Sequence, residues 1–451
     1  MQLKKVIFEP TYRCNLKCKM CVPFPDGRYR NKEMAYEEIE RTFTQSSLLK
    51  SLEIVDISGG EPFLRKDMPQ IINLLMDMQI KVGVTTNGWF TERIQELIKL
   101  AGNKKHNLYI SISIDGLGRV HDKIRGTAGS FDRAVKTIEL LKENKMPVHV
   151  NTVLNKDILA DMDAINSYFT RLGAAVTFLP LAVFEKDKFP YSKKETGQII
   201  KYINNPINLK YVVSKGRHKI SNCSAASSGC FIGADGTIFA CIPTFREINN
   251  LDHFVLGNLK KYNYNFDVLF TSNMAEKARE NVKKCHGCAK NCEVSREVRF
   301  NNFSVDITKK EAMRFKDYLP TEICITRPSF ISMISGWYET EHRLIWMKKE
   351  ACVLLNNKSI ENPKLKLTLI NGCPEKHGDA LRCQIYINGK LQARFSFDYY
   401  GEEKSKVIPL DKGFGIYRIQ FKWNREWIPD NYLHNGDTRN LGGGILELKI
   451  E

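Results

Sequence analysis

KKVIFEPTYRCNLKCKMC, residues 4–21, decides the fold of the N-terminal half, because it joins an apolar run to a loop with three cysteines. Five similar apolar runs follow, separated by segments of helical periodicity: LEIVDIS (52–58), KVGVTTN (81–87), LYISISID (108–115), VHVNTVL (148–154) and AVTFLPL (175–181). Six strands that alternate with amphipathic helices predict a parallel sheet, here an open, partial (β/α)6 barrel. The carboxyl ends of such strands carry the chemistry, and the three cysteines lie directly after the first strand.

The rest of the chain has a different pattern. Residues 206–324 are rich in loops and cysteines and contain GADGTIFAC (233–241), which predicts a hairpin turn at Asp235 and Gly236. After residue 325, short β-rich runs between Asn-Gly, Asp and Gly turns predict an antiparallel β-sandwich. We therefore predict an α/β chain of three domains: the partial barrel over 1–205, a small cysteine-rich α+β domain over 206–324, and the sandwich over 325–451.

Composition narrows the class of protein. Of the 451 residues, 43% are apolar and 26% are charged, which is ordinary for globular proteins and excludes disordered or collagen-like chains. We find no apolar signal core and no apolar run long enough to span a membrane, so we expect a cytoplasmic protein. The net charge of +17 suits phosphates, nucleic acid or an anionic surface, although a solvated basic surface is the simpler explanation.

The 13 cysteines are the most informative residues. Three of them are Cys14, Cys18 and Cys21, six lie between Cys223 and Cys292, and none occurs from position 22 to 222. An odd number without a secretory signal argues against a disulfide framework, and clustered thiols in a reducing compartment favour metal binding. The last four are scattered among β-rich runs, where we expect them in the core: Cys324, Cys352, Cys373 and Cys383.

The first cysteine group has the spacing of an iron–sulfur site. Three thiolates on a short loop can hold three irons of a [4Fe–4S] cluster and leave the fourth iron open to a ligand. Zinc would need a fourth protein ligand, and no nearby histidine supplies one. This Cys-x3-Cys-x2-Cys motif resembles that of the radical S-adenosylmethionine enzymes, and the resemblance extends from residue 4 to about residue 200. It implies a [4Fe–4S] cluster that binds S-adenosylmethionine, and an electron donor such as flavodoxin or ferredoxin.

Further motifs in register support this resemblance. Ser58-Gly-Gly-Glu-Pro62 matches the family's methionine-binding turn, which implies cofactor contacts for Gly59, Gly60 and Glu61. The segments Ser113-Ile-Asp-Gly116 and His121-Asp-Lys-Ile-Arg-Gly126 resemble the anaerobic sulfatase-maturase branch. There the residues matching Ser113 and Arg125 bind the cofactor carboxylate, and the residue matching Asp115 lines the cofactor pocket. A guanidinium suits a carboxylate, although the alternative for Arg125 is a structural role in which it caps the following helix or pairs on it.

The second cysteine group resembles the auxiliary-cluster region of the SPASM/twitch enzymes. Its pattern is Cys-x12-Gly-x4-Cys followed by Cys-x2-Cys, which implies one auxiliary [4Fe–4S] cluster held by Cys223, Cys241, Cys285 and Cys288. A zinc site from the same residues is the alternative. Two cysteines are left over. Cys292 either replaces Cys288 or binds a second cluster, and Cys230 is a candidate hydrogen-atom donor; a buried core position is the alternative for both.

The C-terminal region has two aromatic segments, GWYETEHRLIWM (336–347) and WIPDNYLHNGDTRNLGGGI (427–445). They resemble β-sandwich modules of polysaccharide-related bacterial proteins, and their aromatic residues either stack on sugars or form the core. The combined resemblances imply a radical enzyme that oxidises or epimerises a sugar or glycan precursor. An enzyme that modifies peptide or protein side chains is the first alternative. A non-catalytic iron–sulfur or zinc scaffold that binds glycan or nucleic acid is the second.

Overall fold

The structure is a computed structural model, and it describes part of each region of the chain. The described residues are 3–21, 33–181, 190–203, 206–215, 225–240, 254–284, 309–323, 333–341, 344–358, 360–374, 380–412, 415–429, 431, 437 and 439–451. The chain divides into two compact units. One consists of Met1–Pro190 and Arg217–Phe303, and the other of Tyr191–Gly216 and Ser304–Glu451. The boundaries at 205 and 324 stay a prediction.

The first unit contains a nine-stranded sheet in the order β6-β5-β4-β3-β2-β1-β7-β8-β9. Its strands are β1 (Lys5–Phe8), β2 (Ile54–Ile57), β3 (Lys81–Thr86), β4 (Leu108–Ser113), β5 (Val148–Leu154), β6 (Ala175–Pro180), β7 (Gly229–Ile232), β8 (Thr237–Phe239) and β9 (Val255–Asn258). Strands β1 to β6 are parallel and lie in chain order, which confirms the predicted partial barrel. Strand β7 adds to β1 in parallel, and β8 and β9 continue antiparallel.

The predicted hairpin is therefore built onto the edge of the parallel sheet. Its turn is closed by a hydrogen bond of 3.0 Å from the Gly236 amide to the Gly233 carbonyl, with Gly236 at a φ of +84°. Glycine adopts this left-handed conformation without the strain that a Cβ would bring.

Helices alternate with the parallel strands of the first unit, and further helices occur in both units. They are α1 (Tyr36–Gln45), α2 (Ser47–Lys50), α3 (Met68–Asp77), α4 (Thr91–Ala101), α5 (Arg119–Arg125), α6 (Ser130–Glu143), α7 (Met162–Arg171), α8 (Lys193–Ile199), α9 (Pro206–Val213), α10 (Phe266–Phe270), α11 (Asn273–Lys283) and α12 (Lys309–Met313). None of these helices, in the described part of the chain, is both long and apolar enough to span a membrane.

The two faces of the parallel sheet differ because strand side chains alternate. On one face lie residues such as Val55, Ile110 and Val150, which are fully buried under the helices. Burial of each such side chain contributes roughly 1.5–3 kcal/mol, so this face forms the main core of the unit. The other face is the inside of the partial barrel, and its residues on β1 to β6 are half-buried or exposed.

The second unit contains an antiparallel sheet, as predicted for the C-terminal region. Its strands are β10 (Glu322–Ile323), β11 (Met333–Glu341), β12 (Leu344–Asn356), β13 (Lys364–Ile370), β14 (Leu381–Ile387), β15 (Lys390–Phe397), β16 (Glu403–Pro409), β17 (Ile416–Trp423) and β18 (Gly443–Ile450). A contact between β15 and β16 indicates that the sheet folds back on itself. Lys406 Nζ of β16 donates a 2.7 Å hydrogen bond to the Arg394 carbonyl of β15.

The aromatic residues of this unit serve mainly as core. Trp423 and Trp427 are 2% and 6% exposed, and the Trp346 ring meets Trp427 edge-on at 6.1 Å. Cys352, Cys373 and Cys383 are buried here as well, whereas Cys324 lies outside the described residues.

Candidate functional site

The cysteine triplet lies on the loop that leaves the carboxyl end of β1. Cys14 and Cys21 are exposed, and Cys18 is partly buried. Two local contacts shape the loop. The Leu16 amide donates to Cys14 Sγ at 3.4 Å, and the Cys21 amide donates to the Cys18 carbonyl at 3.2 Å. The loop thus brings three thiols to the end of the sheet where parallel strands place their active sites.

The glycine pair after β2 holds one side of this loop. The Gly60 amide donates to the Thr11 carbonyl at 2.9 Å, and the Glu61 amide donates to the Arg13 carbonyl at 2.8 Å. A Cβ on Gly60 would lie 2.0 Å from the Arg13 carbonyl oxygen, and one on Gly59 would lie 2.4 Å from that of Thr11. Only glycine permits this approach of two backbones. The Gly-Gly turn therefore positions the cysteine loop.

Glu61 is buried and fully engaged. Thr86 Oγ1 donates to Glu61 Oε1 at 2.6 Å, and the Asn87 amide donates to Glu61 Oε2 at 2.7 Å. Burial raises the pKa of Glu61, and the hydrogen bonds oppose that rise. The carboxyl group joins the turn after β2 to the end of β3. The side chain of Asn87 extends these contacts to the cysteine loop, because its Nδ2 donates to Asn15 Oδ1 at 3.0 Å.

Helix α5 holds the other side of the loop. The Lys17 amide donates to the Arg125 carbonyl at 3.1 Å, and the Lys19 amide donates to the Ile124 carbonyl at 2.9 Å. The side chain of Arg125 then turns toward the thiols, and its Nη1 lies 3.8 Å from Cys18 Sγ. A guanidinium at this distance stabilises a thiolate, which is the form that binds metal.

Arg125 also forms a buried ion pair. Its Nη2 lies 2.6 Å from Asp115 Oδ2, and the side chains are 11% and 0% exposed. Asp115 Oδ1 accepts a 2.8 Å hydrogen bond from the Val153 amide of β5, and the Asp115 amide donates to His121 Nδ1 at 3.1 Å. A chain of contacts therefore links His121, Asp115, Arg125 and Cys18.

Burial dominates the electrostatics of this chain of contacts. It lowers the pKa of His121 to about 3, so the imidazole is neutral at pH 7. It raises the pKa of the Cys14 and Cys18 thiols, while the charge of Arg125 acts against the rise at Cys18. Burial likewise raises the pKa of Asp115, and the neighbouring guanidinium opposes it by favouring the carboxylate. The positive charge of Arg125 therefore lies beside Cys18, the one of the three thiols that is partly buried.

Glu33 is a site residue without a sequence signal, whereas His121 begins a motif segment that assigned it no role. Thr11 Oγ1 and Arg13 Nε donate to Glu33 Oε1 at 2.6 and 2.7 Å, so Glu33 braces the start of the cysteine loop. Although burial acts to raise it, the hydrogen bonds from Arg13 and Thr11 lower the pKa of Glu33. The contacts of Glu33 and His121 can be recognised only once the fold is known, because their partners are distant in the sequence or are backbone groups.

The structure brings most of the first predicted group together. The three cysteines, the Gly59–Glu61 turn, Asp115 and Arg125 surround one another, and Ser113 ends β4 two residues before Asp115. Cys230 is elsewhere. It lies in β7 opposite Val6 of β1, so its buried side chain shares the helix-covered face with Val6. The predicted auxiliary-cluster ligands lie outside the described residues: Cys223, Cys241, Cys285, Cys288 and Cys292.

The donor set fits an iron–sulfur cluster. Thiolates are the ligands such clusters use, and two of the three thiols face solvent on a loop that is held on both sides. Arg125 also retains a buried Nε without a hydrogen-bond partner among the described residues, next to the pair it forms with Asp115. Within those residues no three His, Cys, Asp or Glu side chains are grouped to hold a single metal ion. A four-iron cluster differs, because each thiolate binds its own iron.

Comparisons with known proteins identify one sequence family and several similar proteins. The sequence model of the Radical SAM superfamily matches residues 8–165. A probable GTP 3′,8-cyclase of Methanococcus maripaludis is 31% identical over 217 residues, which cover 45% of this chain and 70% of that protein. Fe-coproporphyrin III synthase of Methanosarcina barkeri is 29% identical over 161 residues, covering 36% and 39%. The structure of Streptococcus suis SuiB bound to S-adenosylmethionine gives a TM-score of 0.48 at 16% identity, covering 62% of this chain and 68% of that one.

Proposed function

This chain belongs to the radical SAM superfamily, and from that premise we propose that it abstracts a hydrogen atom from a sugar or glycan precursor and oxidises it. When bound, the cluster supplies an electron that cleaves S-adenosylmethionine to methionine and a 5′-deoxyadenosyl radical. We assign Cys14, Cys18 and Cys21 as cluster ligands. The contact of Arg125 with both Cys18 and Asp115 supports the cofactor part of the proposal, because it puts a fixed cation beside the thiols where a carboxylate of the cofactor would also bind.

The remaining cofactor residues have separate tasks. Gly59 and Gly60 keep the cysteine loop against the turn after β2, and Glu61 ties that turn to β3. Ser113 offers a half-buried hydroxyl near Asp115, suited to the carboxylate of S-adenosylmethionine. These residues bind and orient the cofactor and exclude water from it. An electron donor such as flavodoxin or ferredoxin completes the proposed system.

We favour oxidation over epimerisation because of the position of Cys230. An epimerase must return a hydrogen atom to the substrate carbon, and Cys230 was the candidate donor. Its register beside Val6 puts it on the face of the sheet that the helices cover, which argues against contact with a substrate inside the barrel. In oxidation of an alcohol, the carbon loses a hydrogen atom, and one electron and the hydroxyl proton leave as the carbonyl forms. We propose the Cys223/Cys241/Cys285/Cys288 cluster, with Cys292 as a substitute ligand, as the acceptor of that electron.

Two observations support a sugar-bearing substrate. Several relatives are named for reactions of GTP, a molecule that contains a ribose. The C-terminal segments also resemble modules of polysaccharide-related proteins. The alternative is a peptide or protein side chain as substrate. The non-catalytic scaffold is the weaker alternative, because it would not need the Gly-Gly turn, Asp115 and Arg125 around the same cysteine loop.

Iron content tests the two-cluster proposal. After anaerobic reconstitution we expect about eight irons per chain, in two clusters of four. Replacing Cys14, Cys18 and Cys21 together by Ala should remove about half of the iron, whereas Cys383→Ala, a change in a buried thiol of the second unit, should remove none. Zinc in place of the remaining half would contradict the auxiliary cluster.

Deuterium transfer tests the substrate class. The reconstituted enzyme, dithionite and S-adenosylmethionine are incubated with a panel of nucleotide sugars whose sugar rings are perdeuterated. We expect 5′-deoxyadenosine to gain one deuterium with at least one member of the panel, together with a ketone product. Transfer of deuterium without a two-electron change in the sugar would refute oxidation, and no transfer from any member would refute the sugar substrate.

A further inference from the structure

The inner face of the partial barrel has an apolar side and a polar side. Near β1 and β7 it carries a buried aromatic pair, Phe231 and Phe239, whose rings are 5.7 Å apart and which pack against Ile7, Tyr12 and Val255. On β4, β5 and β6 the polar residues of the same face are Ser111, Ser113, His149, Asn151 and Thr177, and Tyr109, Val153, Ala175 and Leu179 lie beside them. The interior of a packed barrel is normally filled by branched apolar side chains, so the polar side is the departure that needs an explanation.

The polar side chains form two rows across neighbouring strands. Ser113 pairs with Asn151, and Asn151 pairs with Thr177, so these three form one row. Ser111 pairs with His149 in the next row down. Neighbouring strands are about 4.8 Å apart, and successive residues on one face are roughly 6.6 Å apart along a strand. Five hydrogen-bonding groups therefore lie within an area that matches one sugar ring and its hydroxyls.

These side chains have no other task in the described part of the chain. Each is half-buried, and none makes a hydrogen bond or ion pair with another described residue. Half-buried polar groups without protein partners cost stability relative to apolar ones, and folded proteins accept that cost where the groups bind a ligand.

The chemistry of the group indicates an uncharged ligand. Serine, threonine and asparagine side chains donate and accept hydrogen bonds without carrying charge. Burial lowers the pKa of His149, so its imidazole is also neutral at pH 7 and donates at one nitrogen while accepting at the other. A surface for a phosphate or an acidic peptide would present lysine or arginine at these positions. Neutral donors and acceptors complement the hydroxyl groups of a sugar.

We propose that Ser111, His149, Asn151 and Thr177 bind the sugar ring of the substrate, an inference that rests on the proposed function. Ser113 begins the upper row on the cofactor side. It stands two residues before Asp115, whose ion pair with Arg125 leads to Cys18. The row thus runs from the proposed carboxylate anchor of S-adenosylmethionine to Thr177, along the inside of the barrel, and brings substrate and cofactor onto neighbouring strands.

A matched pair of isosteric variants tests this binding face. Thr177→Val removes a hydroxyl from the proposed face, and Thr152→Val makes the same change on β5 but on the opposite face, where Thr152 Oγ1 is buried without a partner among the described residues. Binding of the nucleotide-sugar panel and of the corresponding methyl glycosides is measured by calorimetry on reconstituted protein with S-adenosylmethionine present. We expect about five- to tenfold weaker sugar binding for Thr177→Val, the effect of one neutral hydrogen bond, and no change for Thr152→Val.

Asn151→Leu gives a second, independent reading, with an expected loss of tenfold or more because the amide both donates and accepts. S-adenosylmethionine affinity and iron content should remain those of the wild type in all three variants. Equal sugar binding by Thr177→Val and Thr152→Val, or no sugar binding by any protein, would overturn the proposal. A parallel loss of S-adenosylmethionine affinity in Thr177→Val would overturn it too, since the face would then hold the cofactor. Sugar binding that follows the variants without deuterium transfer would refute the proposed function alone.

Discussion

We predict that the buried His121 makes the stability of the site depend on pH, by an amount that can be calculated. The imidazole is fully buried, and its Nδ1 accepts the amide hydrogen of Asp115, so the remaining proton is on Nε2. Nε2 has no hydrogen-bond partner among the described residues, and the ring meets Phe131 edge-on at 5.7 Å. Protonating Nδ1 would place a second donor against the Asp115 amide. The folded protein therefore resists protonation at this position.

The magnitude follows from the two pKa values. The pKa is 6.5 for an ordinary histidine, which represents the unfolded chain, and about 3 for folded His121. Between these values the unfolded state binds a proton that the folded state does not, so the free energy of unfolding decreases as the pH falls. At 1.36 kcal/mol per pH unit, the 3.5-unit difference amounts to about 5 kcal/mol by pH 3. From pH 7 to pH 4.5 the expected loss is about 2.5 kcal/mol.

His121→Asn isolates this contribution, because an asparagine Oδ1 can accept the same amide hydrogen without titrating. Iron-free wild type and variant are compared at pH 7.0, 6.0, 5.0 and 4.5 by hydrogen exchange of peptides that cover residues 108–131. We expect the variant to be less protected at pH 7, since the smaller side chain leaves a cavity beside Phe131. We also expect the wild type to lose about 2.5 kcal/mol more protection than the variant by pH 4.5.

The exposed His106 supplies the control, because His106→Asn should keep the wild-type pH dependence. If His121→Asn and the wild type lost protection in parallel over this range, the imidazole would bind a proton as readily in the folded protein as in the unfolded chain. The contact chain from His121 to Cys18 would then need a different description.

Three further changes probe how the site is held. Gly60→Ala should abolish iron retention after reconstitution, because its Cβ would lie 2.0 Å from the Arg13 carbonyl, whereas Gly415→Ala, with open space around it, should retain full iron content. Asp115→Asn should lower the free energy of unfolding of the first unit by about 3 kcal/mol in urea titrations, as a buried guanidinium loses its carboxylate; an unchanged value would mean that Arg125 is satisfied by other groups. Asp267→Ala should cost about 2 kcal/mol in the same titration, since Asp267 accepts from Ser47 and from two α2 amides, yet iron content should be unaffected.

Local sequence patterns were sufficient to predict the strands that support the site and the loop that carries its cysteines. The strand periods predict β1 to β6 to within two residues at each end, and the spacing of Cys14, Cys18 and Cys21 identifies their loop. The side on which a residue lies depends instead on register between distant strands. Cys230 illustrates this, because only the pairing of β7 with β1 shows that it shares the face of Val6. Glu33 likewise carries no motif, and its contacts follow from the folding of the loop.

The polar side of the inner face could not be predicted from the sequence, for a related reason. Ser111, His149 and Thr177 come from three separate strands, and each strand by itself reads as an ordinary alternation of apolar and polar residues. Polar residues at such positions normally face solvent. Parallel pairing inside a partial barrel turns them toward one another, so their common chemistry is visible only after the strands are aligned.

The way the two sites are built suggests why one fold can serve several substrates. The cysteine loop is fixed by backbone hydrogen bonds, from Gly60 to Thr11 and from Lys17 to Arg125, which tolerate most side chains except at the glycines. The side chains of the polar residues on β4, β5 and β6 make no hydrogen bonds to their described neighbours, so they can change without moving the thiols. Substitutions at Asn151 or Thr177 should then alter which ligand binds while leaving the cluster in place. Separate support of this kind lets substrate recognition vary independently of radical formation, because the cysteine loop is held by the turn after β2 and by α5, whereas the polar side chains lie on β4, β5 and β6.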